Sequence, residues 1–361
     1  MMVTGSDLTE SKNAIKLAEE FPGLCYATVG VHPCSAKSFL DYPEGPEKLL
    51  EELRLLAQTS RDAGTATAFG EIGLDYDRLH YCDKETQLLY FAKQLDLAID
   101  LQMPLFLHSR AAASDFEALL LERLDRLPKR GVVHSFTGTL DEMHRIVAMG
   151  FDVGINGCSM TTEENIAVVR EVPLERLQIE TDGPWCDMRP SHASAKFSLD
   201  APELPKAVKK EKWSADCMVK GRNEPCAIGR VAWAVAGIKG VGVEVVCEQW
   251  VMHDEGALWL VYADCFIVLG PTQYACLGLE SRRFECAVRT ALLGSNIITG
   301  PESHRCTSAS QSSSIDSGNQ CFPVHTKLCE ESVIQSSSIM TRSEIVGVEL
   351  MRTRPSSPSS S

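Results

Sequence analysis

The chain has 361 residues, a formal charge of −14 and 44% hydrophobic residues. That is apolar material enough for one large domain with extras. A pI near 5.2 argues against a broad basic surface that holds nucleic acid non-specifically, while leaving room for a metal site that grips a few phosphates.

The opening "MMVTGSDLTE" has neither a basic n-region nor a long apolar h-region, so no signal peptide is visible. No uncharged apolar run reaches the roughly 18 residues that a membrane span requires. The 14 cysteines are scattered through the chain, which reads as reduced thiols in a cytoplasmic or nuclear protein that is not secreted. No C-x-x-C pair supports a zinc knuckle.

The predicted elements repeat one rhythm. A β-rich run at 2–5 is followed by a helical pattern at 7–20, and "CYATVGVHP" (25–33) by one at 45–63. "TAFGEIGLD" (67–75) precedes helix 84–102, "MPLFLHS" (103–109) precedes 114–127, and "GVVHSF" (131–136) precedes 140–149. "FDVGING" (151–157) leads to 163–171, and "LQIETDGPW" (177–185) ends the series. Strand and helix alternating at this spacing imply βαβ units and a parallel sheet. The expected fold is an α/β barrel of the TIM type. An eight-stranded barrel needs one strand more than the seven runs, and the chain begins about one strand and its helix too late. Such a barrel would have an open seam with two unpaired strand edges.

From about Trp250 the rhythm stops, and Ser-rich patches occupy 308–314, 335–340 and 354–361. Residues 1–249 are therefore expected to form the barrel, incomplete at its N-terminal side, and 250–361 an atypical, disordered tail.

The strand ends carry the chemistry: His32, Glu71, His108, His134 and Asp182 each stand where a β-rich run finishes. Barrel active sites lie at the C-terminal ends of the strands. Taken singly, each has a bland explanation: a hydrogen-bonded structural histidine, a helix cap at Glu71, a turn at Asp182 before Gly183-Pro184. Taken together, carboxylate and imidazole groups at five strand ends suit a divalent-metal site, with Glu71 pointing into the barrel mouth. The glycines around Glu71 would leave room for ion and substrate.

"GVHP" (30–33), "FGEIGLDYDR" (69–78), "LHSR" (107–110), "VVHSFTG" (132–138), "IETDGPW" (179–185) and "RNEP" (222–225) occur in this order. Together they resemble the TatD family of metal-dependent deoxyribonucleases, over about residues 3–248. The resemblance implies Glu71, His108, His134 and Asp182 as metal ligands, with Glu71 bridging two ions. Asp182 would also orient or deprotonate the attacking water. His32 and Arg110 would contact the scissile phosphate or its nucleotide. Arg222, Asn223 and Glu224 would pin a loop rather than react. Asp75 and Asp77 would orient the loop after Glu71, and His80, His144 and His192 have no motif partner.

Family members begin with a first strand bearing a further pair of ligands, which this sequence lacks. One good and one weakened position for divalent ions are expected, Mg²⁺ or Mn²⁺ in the first place and Zn²⁺ as another option. The implied activity is hydrolysis of DNA as a 3′→5′ exonuclease on single-stranded ends, without membrane or obligate protein partner. The rival readings are a metal-dependent hydrolase of amide, ester or lactone bonds, and a truncated, inactive remnant.

Overall fold

The computed structural model describes residues 1–127 and 129–248, with the backbone of 268–269. Its first half alternates β1 (Met2–Val3), α1 (Leu8–Glu20), β2 (Tyr26–Val29), α2 (Lys37–Asp41), α3 (Pro46–Asp62), β3 (Ala66–Asp75) and α4 (Lys84–Leu101). There follow β4 (Leu105–Arg110), α5 (Ala113–Leu121), β5 (Gly131–Val133), α6 (Leu140–Ala148), β6 (Asp152–Ile155), α7 (Glu163–Glu171) and β7 (Leu177–Ile179). A small pair, β8 (Ala207–Val208) and β9 (Met218–Val219), precedes α8 (Ile228–Lys239), α9 (Val243–Glu248) and β10 (Val268–Leu269). Each predicted strand and helix between residues 2 and 185 is present, with its ends shifted by a few residues.

Local chemistry starts the helices where they start. Asp7 accepts from the Glu10 amide at 2.8 Å to cap α1, and Asp83 accepts from the Thr86 amide at 2.9 Å to cap α4. Thr139 with Glu142, and Thr162 with Asn165, form reciprocal capping boxes at α6 and α7. In α3 the buried positions Leu49, Leu53, Ala57 and Ser60 recur at helical spacing and face the sheet.

The strands pair in parallel in the order β10-β1-β2-β3-β4-β5-β6-β7, a curled sheet of the barrel type. Two apolar layers flank it. The larger packs helices on the outer face, through residues such as Val3, Val29, Phe69, Leu105, Leu107 and Val133. The smaller, of Met2, Ala68, Phe106 and Val132, fills the inside. Successive side chains of a strand alternate between faces. Phe106 and His108 therefore share the inner face, as do Val132 and His134: the inner apolar layer is the floor on which the histidines stand.

The expected open seam is corrected on one side. The edge of β1 is paired with β10, with Met2 opposite Val268 and Val3 opposite Leu269. An uncovered parallel edge exposes a row of amides and carbonyls that a further strand satisfies. Otherwise the expected Ser-rich tail lies outside the described residues. Among those described, no helix is long and apolar enough to cross a membrane.

Phe106 is fully buried, with its ring 4.7 Å from that of His134. Phe106→Ala is expected to cost about 3–5 kcal/mol in chemical denaturation. An exposed ion pair such as Arg54–Asp100 carries only about 0.2–1 kcal/mol, so Arg54→Ala should be nearly silent in the same measurement.

Candidate metal centre

Strand alternation alone would point Glu71 away from the mouth. Across β3 and β4, Gly70 pairs with Phe106 and Ile72 with Leu107, so Glu71 is an extra residue opposite no partner. This bulge turns its carboxylate inward, toward the face that His108 occupies. The Glu71 amide donates to the Gly5 carbonyl at 2.9 Å, which ties the bulge to the end of β1. The flanking glycines have another role than leaving room for ion and substrate. A Cβ on Gly70 would lie 2.2 Å from the Phe106 carbonyl oxygen, and one on Gly73 1.8 Å from that of His108. They allow the backbones of β3 and β4 to approach.

Three imidazoles converge on one carboxylate oxygen. Glu71 Oε1 lies 2.7 Å from His134 Nε2, 2.9 Å from His108 Nδ1 and 3.4 Å from His32 Nε2. Burial pushes the Glu71 carboxyl up, but the imidazoles of His134, His32 and His108 outweigh it and hold the group well below the usual range. Burial opposes charge on His108, yet hydrogen bonds to Asp75 and Glu71 raise it. His134 is raised well above its ordinary value because Glu71 and Glu180 overcome the same desolvation. The cluster holds its charges by mutual support: the imidazoles favour an ionised Glu71, and the carboxylates favour protonated His108 and His134.

His32 differs. Its Nδ1 accepts from the Cys34 amide at 3.0 Å, and burial pushes its pKa down to about 4. The neutral ring then carries its proton on Nε2, facing Glu71. Distance alone groups His32 with Glu71 and His108 as potential ligands. In this tautomer His32 presents a proton toward Glu71, and His134 joins Glu71 and His108 as a further candidate to hold an ion.

The other nitrogen of each ligand-type histidine is also held. His108 Nε2 lies 3.3 Å from Asp75 Oδ2, and Asp75 is fully buried. Asp75 thus supports an imidazole and also pairs, at 3.8 Å, with Arg78 of the loop that follows. Glu180 Oε1 stands 3.7 Å from His134 Nδ1, an ion-pair distance longer than a hydrogen bond. It also accepts from the Ser135 amide and from Asn156 Nδ2, the latter at 3.0 Å. Carboxylates behind metal-binding imidazoles fix the tautomer and raise ligand basicity. Sequence reasoning passed over Glu180 and Asn156. The signal was available, since Glu180 directly follows β7 and stands two residues before Asp182.

Asp182 follows β7 with φ 50°. Its Oδ2 accepts from the Cys186 thiol at 3.2 Å. Burial lifts its carboxyl to about 7, with Glu180 and Glu71 adding to the rise and His134 opposing it. It therefore feels the Glu71 cluster without bonding to it. Arg110 ends β4, half-buried, with Nε 4.0 Å from Asp77. Asn223 bridges segments: its Nδ2 donates to the Thr181 carbonyl at 2.7 Å and its amide to that of Pro184 at 3.1 Å. Glu224 Oε1 accepts from Arg222 Nη2 and from the Val219 amide, each at 2.8 Å. Asn223 thus clamps the segment that carries Asp182, while Arg222 and Glu224 close the loop 219–224 on itself. His80 packs beside Tyr81, His192 Nδ1 accepts from the Arg189 amide at 3.4 Å, and the described cysteines are free thiols.

Whether a metal fits is decided by the donor set. Glu71, His108 and His134 offer one carboxylate and two imidazoles, each within 3.4 Å of the others, buried and backed by further carboxylates. That combination suits a borderline or hard divalent cation.

Comparison with known proteins agrees with this geometry. The family described as TatD related DNase matches residues 1–252. A Schizosaccharomyces pombe protein named deoxyribonuclease Tat-D is 50% identical over 251 residues, covering 69% of this chain and 79% of that one. A Yersinia pseudotuberculosis protein named 3′-5′ ssDNA/RNA exonuclease TatD is 37% identical over 202 residues, covering 54% and 73%. A solved Entamoeba histolytica structure, a hydrolase TatD family protein, superposes with a TM-score of 0.61 at 34% identity, covering 69% and 80%. Its motifs standing at the mouth of a curled parallel sheet, the chain belongs to the TatD related DNase family.

Proposed function

We propose that the chain is a metal-dependent deoxyribonuclease that shortens single-stranded DNA from its 3′ end. The observation that carries this reading is the convergence of His108 and His134 on the buried Glu71, in a family whose relatives are named deoxyribonucleases and 3′-5′ exonucleases. Glu71, His108 and His134 would hold one divalent cation, Mg²⁺ or Mn²⁺, and Glu71 with Asp182 a second, weaker one. Divalent ions at such a site supply an activated water and neutralise charge on the phosphate and the leaving oxygen.

The chain's own groups do the rest. Asp182 is the proton acceptor: burial makes its carboxyl more basic than a free one, and it takes a proton from water. With Oδ2 engaged by Cys186, the other oxygen is the one left for this work. His32 presents its Nε2 proton to a phosphate oxygen, fixed in that tautomer by Cys34. The planar guanidinium of Arg110 matches two phosphate oxygens. Asn223 keeps Asp182 in place by holding the Thr181 carbonyl.

Three outcomes test the proposal. With Mn²⁺ and a 5′-labelled single-stranded oligonucleotide, the chain should produce a ladder shortened from the 3′ end. Glu71→Gln should lower the rate by more than about a hundredfold, beyond the range of an outer-shell change. Internal cuts only, or turnover of amide and ester substrates with DNA left intact, would reject the exonuclease reading.

Asp75→Asn and Glu180→Gln should each weaken Mn²⁺ binding by about 10–100-fold in calorimetric titration, with the fold retained. Unchanged affinity in both would show that the imidazoles need no support from behind.

Metal affinity should also rise with pH. Below the raised values of His108 and His134, and below about 7 for Asp182, protons occupy the ligand atoms and an ion must displace them. Each displaced proton weakens binding by about tenfold per pH unit on the acid side. Binding at pH 6 should be markedly weaker than at pH 8, with proton release visible in buffers of different ionisation enthalpy.

A further inference from the structure

The chain is acidic overall, and the cations on its helices are largely spoken for. Arg54 pairs with Asp100, Lys84 with Asp115, Lys93 with Glu47, Arg145 with Glu117 and Lys196 with Glu163. One segment breaks this pattern. Between 205 and 222, "PKAVKKEKWSADCMVKGR" holds six cations against two carboxylates. Lys206, Lys209, Lys210, Lys212 and Lys220 are exposed, and none makes an ion pair with a carboxylate among the described residues. Trp213 stands in the same run, 39% exposed, and Trp185 is 64% exposed three residues after Asp182. Large aromatics left in water beside unpaired lysines are costly unless something covers them.

The segment is tied to the candidate metal centre through its backbone. The Met218 amide donates to the Lys206 carbonyl at 3.1 Å and the Lys220 amide to that of Val208 at 2.7 Å, so β8 and β9 hold the lysine run as a folded loop. Glu224 closes its end on the Val219 amide. Asn223 then fastens that end to Thr181 and Pro184, on either side of Asp182. The loop is thereby rooted at the C-terminal end of β7, the rim on which the Glu71 cluster opens.

We infer that this loop, Lys206 to Lys220 with Trp213 and Trp185, is the track for the single-stranded polynucleotide leading away from the cleaved end. The inference rests on the nuclease reading and adds to it where the uncleaved strand lies. Lysines attract successive phosphates without reading sequence, and aromatic faces stack bases of any kind. An isolated basic loop on an acidic body also explains how a chain of charge −14 attracts a polyanion to one place.

The test uses the full chain and a fluorescein-labelled oligothymidylate of about 15 nucleotides, in EDTA so that no cleavage occurs. Anisotropy is followed over a salt series for wild type, Lys206→Ala/Lys209→Ala/Lys210→Ala/Lys212→Ala, the corresponding four-arginine variant, and Trp213→Ala. The four-alanine variant should bind at least about tenfold more weakly. Its log K against log salt slope should fall by about 0.7 for each phosphate that a lysine no longer neutralises. The four-arginine variant should bind like wild type. Trp213→Ala should lose affinity at unchanged slope, by the roughly 1–3 kcal/mol that base stacking contributes, or about 5- to 150-fold. With Mn²⁺, hydrolysis of bis(p-nitrophenyl) phosphate, too small to reach the loop, should be equal in wild type and the four-alanine variant.

Equal affinity and slope in wild type and the four-alanine variant would overturn the track, as would a wild type that does not bind the oligonucleotide. A wild type that binds with the expected slope yet never cleaves would reject the nuclease reading and leave the track standing. Loss of small-substrate turnover in the four-alanine variant would mean that the lysines support the fold, and would also overturn it.

Discussion

Everything at the rim depends on the burial of one negative charge. A carboxylate taken out of water loses several kcal/mol of hydration even after relaxation, and only close, well-aligned partners offset that. Glu71 meets the condition with three imidazoles facing a single oxygen. Two of those imidazoles are backed by further buried carboxylates, Asp75 and Glu180, which extends the network outward to Ser135 and Asn156. Each member keeps another from being an isolated buried charge, which favours one arrangement of the group.

The same arrangement suits a divalent cation. The imidazole nitrogen atoms that face Glu71 have the chemistry of metal ligands. A cation seated among them would take over the role of positive partner to Glu71 and leave the supporting carboxylates where they are. His32 stands apart, because the Cys34 amide uses its Nδ1 and leaves a proton, not a lone pair, facing inward. Four neighbouring strands, or the residues just after them, thus contribute groups of two kinds to one rim. The Asn223 clamp joins a fifth segment, the basic loop, to the same place.

Much of this was legible in the chain. The alternation of β-rich and helical runs located every strand from β1 to β7 and the helices between them, because burial on both faces of a parallel sheet leaves short apolar runs ending in polar residues. Four of the groups read as strand-end residues, His32, Glu71, His108 and His134, do meet within a few ångströms, although Glu71 lies within β3 at its bulge and His108 within β4. The TatD likeness added the distinction between ligands and substrate contacts. Legibility failed where a residue's meaning lies in its partner: Asp75 reads as a loop acid until His108 is seen behind it, and Glu180 is overshadowed by Asp182 beside it.

The sequence by itself determined the kind of fold and which side chains reach its rim, because strand period and strand ends are local properties written in residue order. Only the tertiary structure decided how those side chains are used. The bulge that turns Glu71 inward arises from the register between β3 and β4, and the glycines around it answer to a neighbouring backbone. The tautomer of His32 depends on an amide two residues on, and the imidazolium character of His134 on a carboxylate 46 residues away. Register, tautomer and charge state are set by groups that meet only when the sheet curls, which is why no single stretch of the chain contains them.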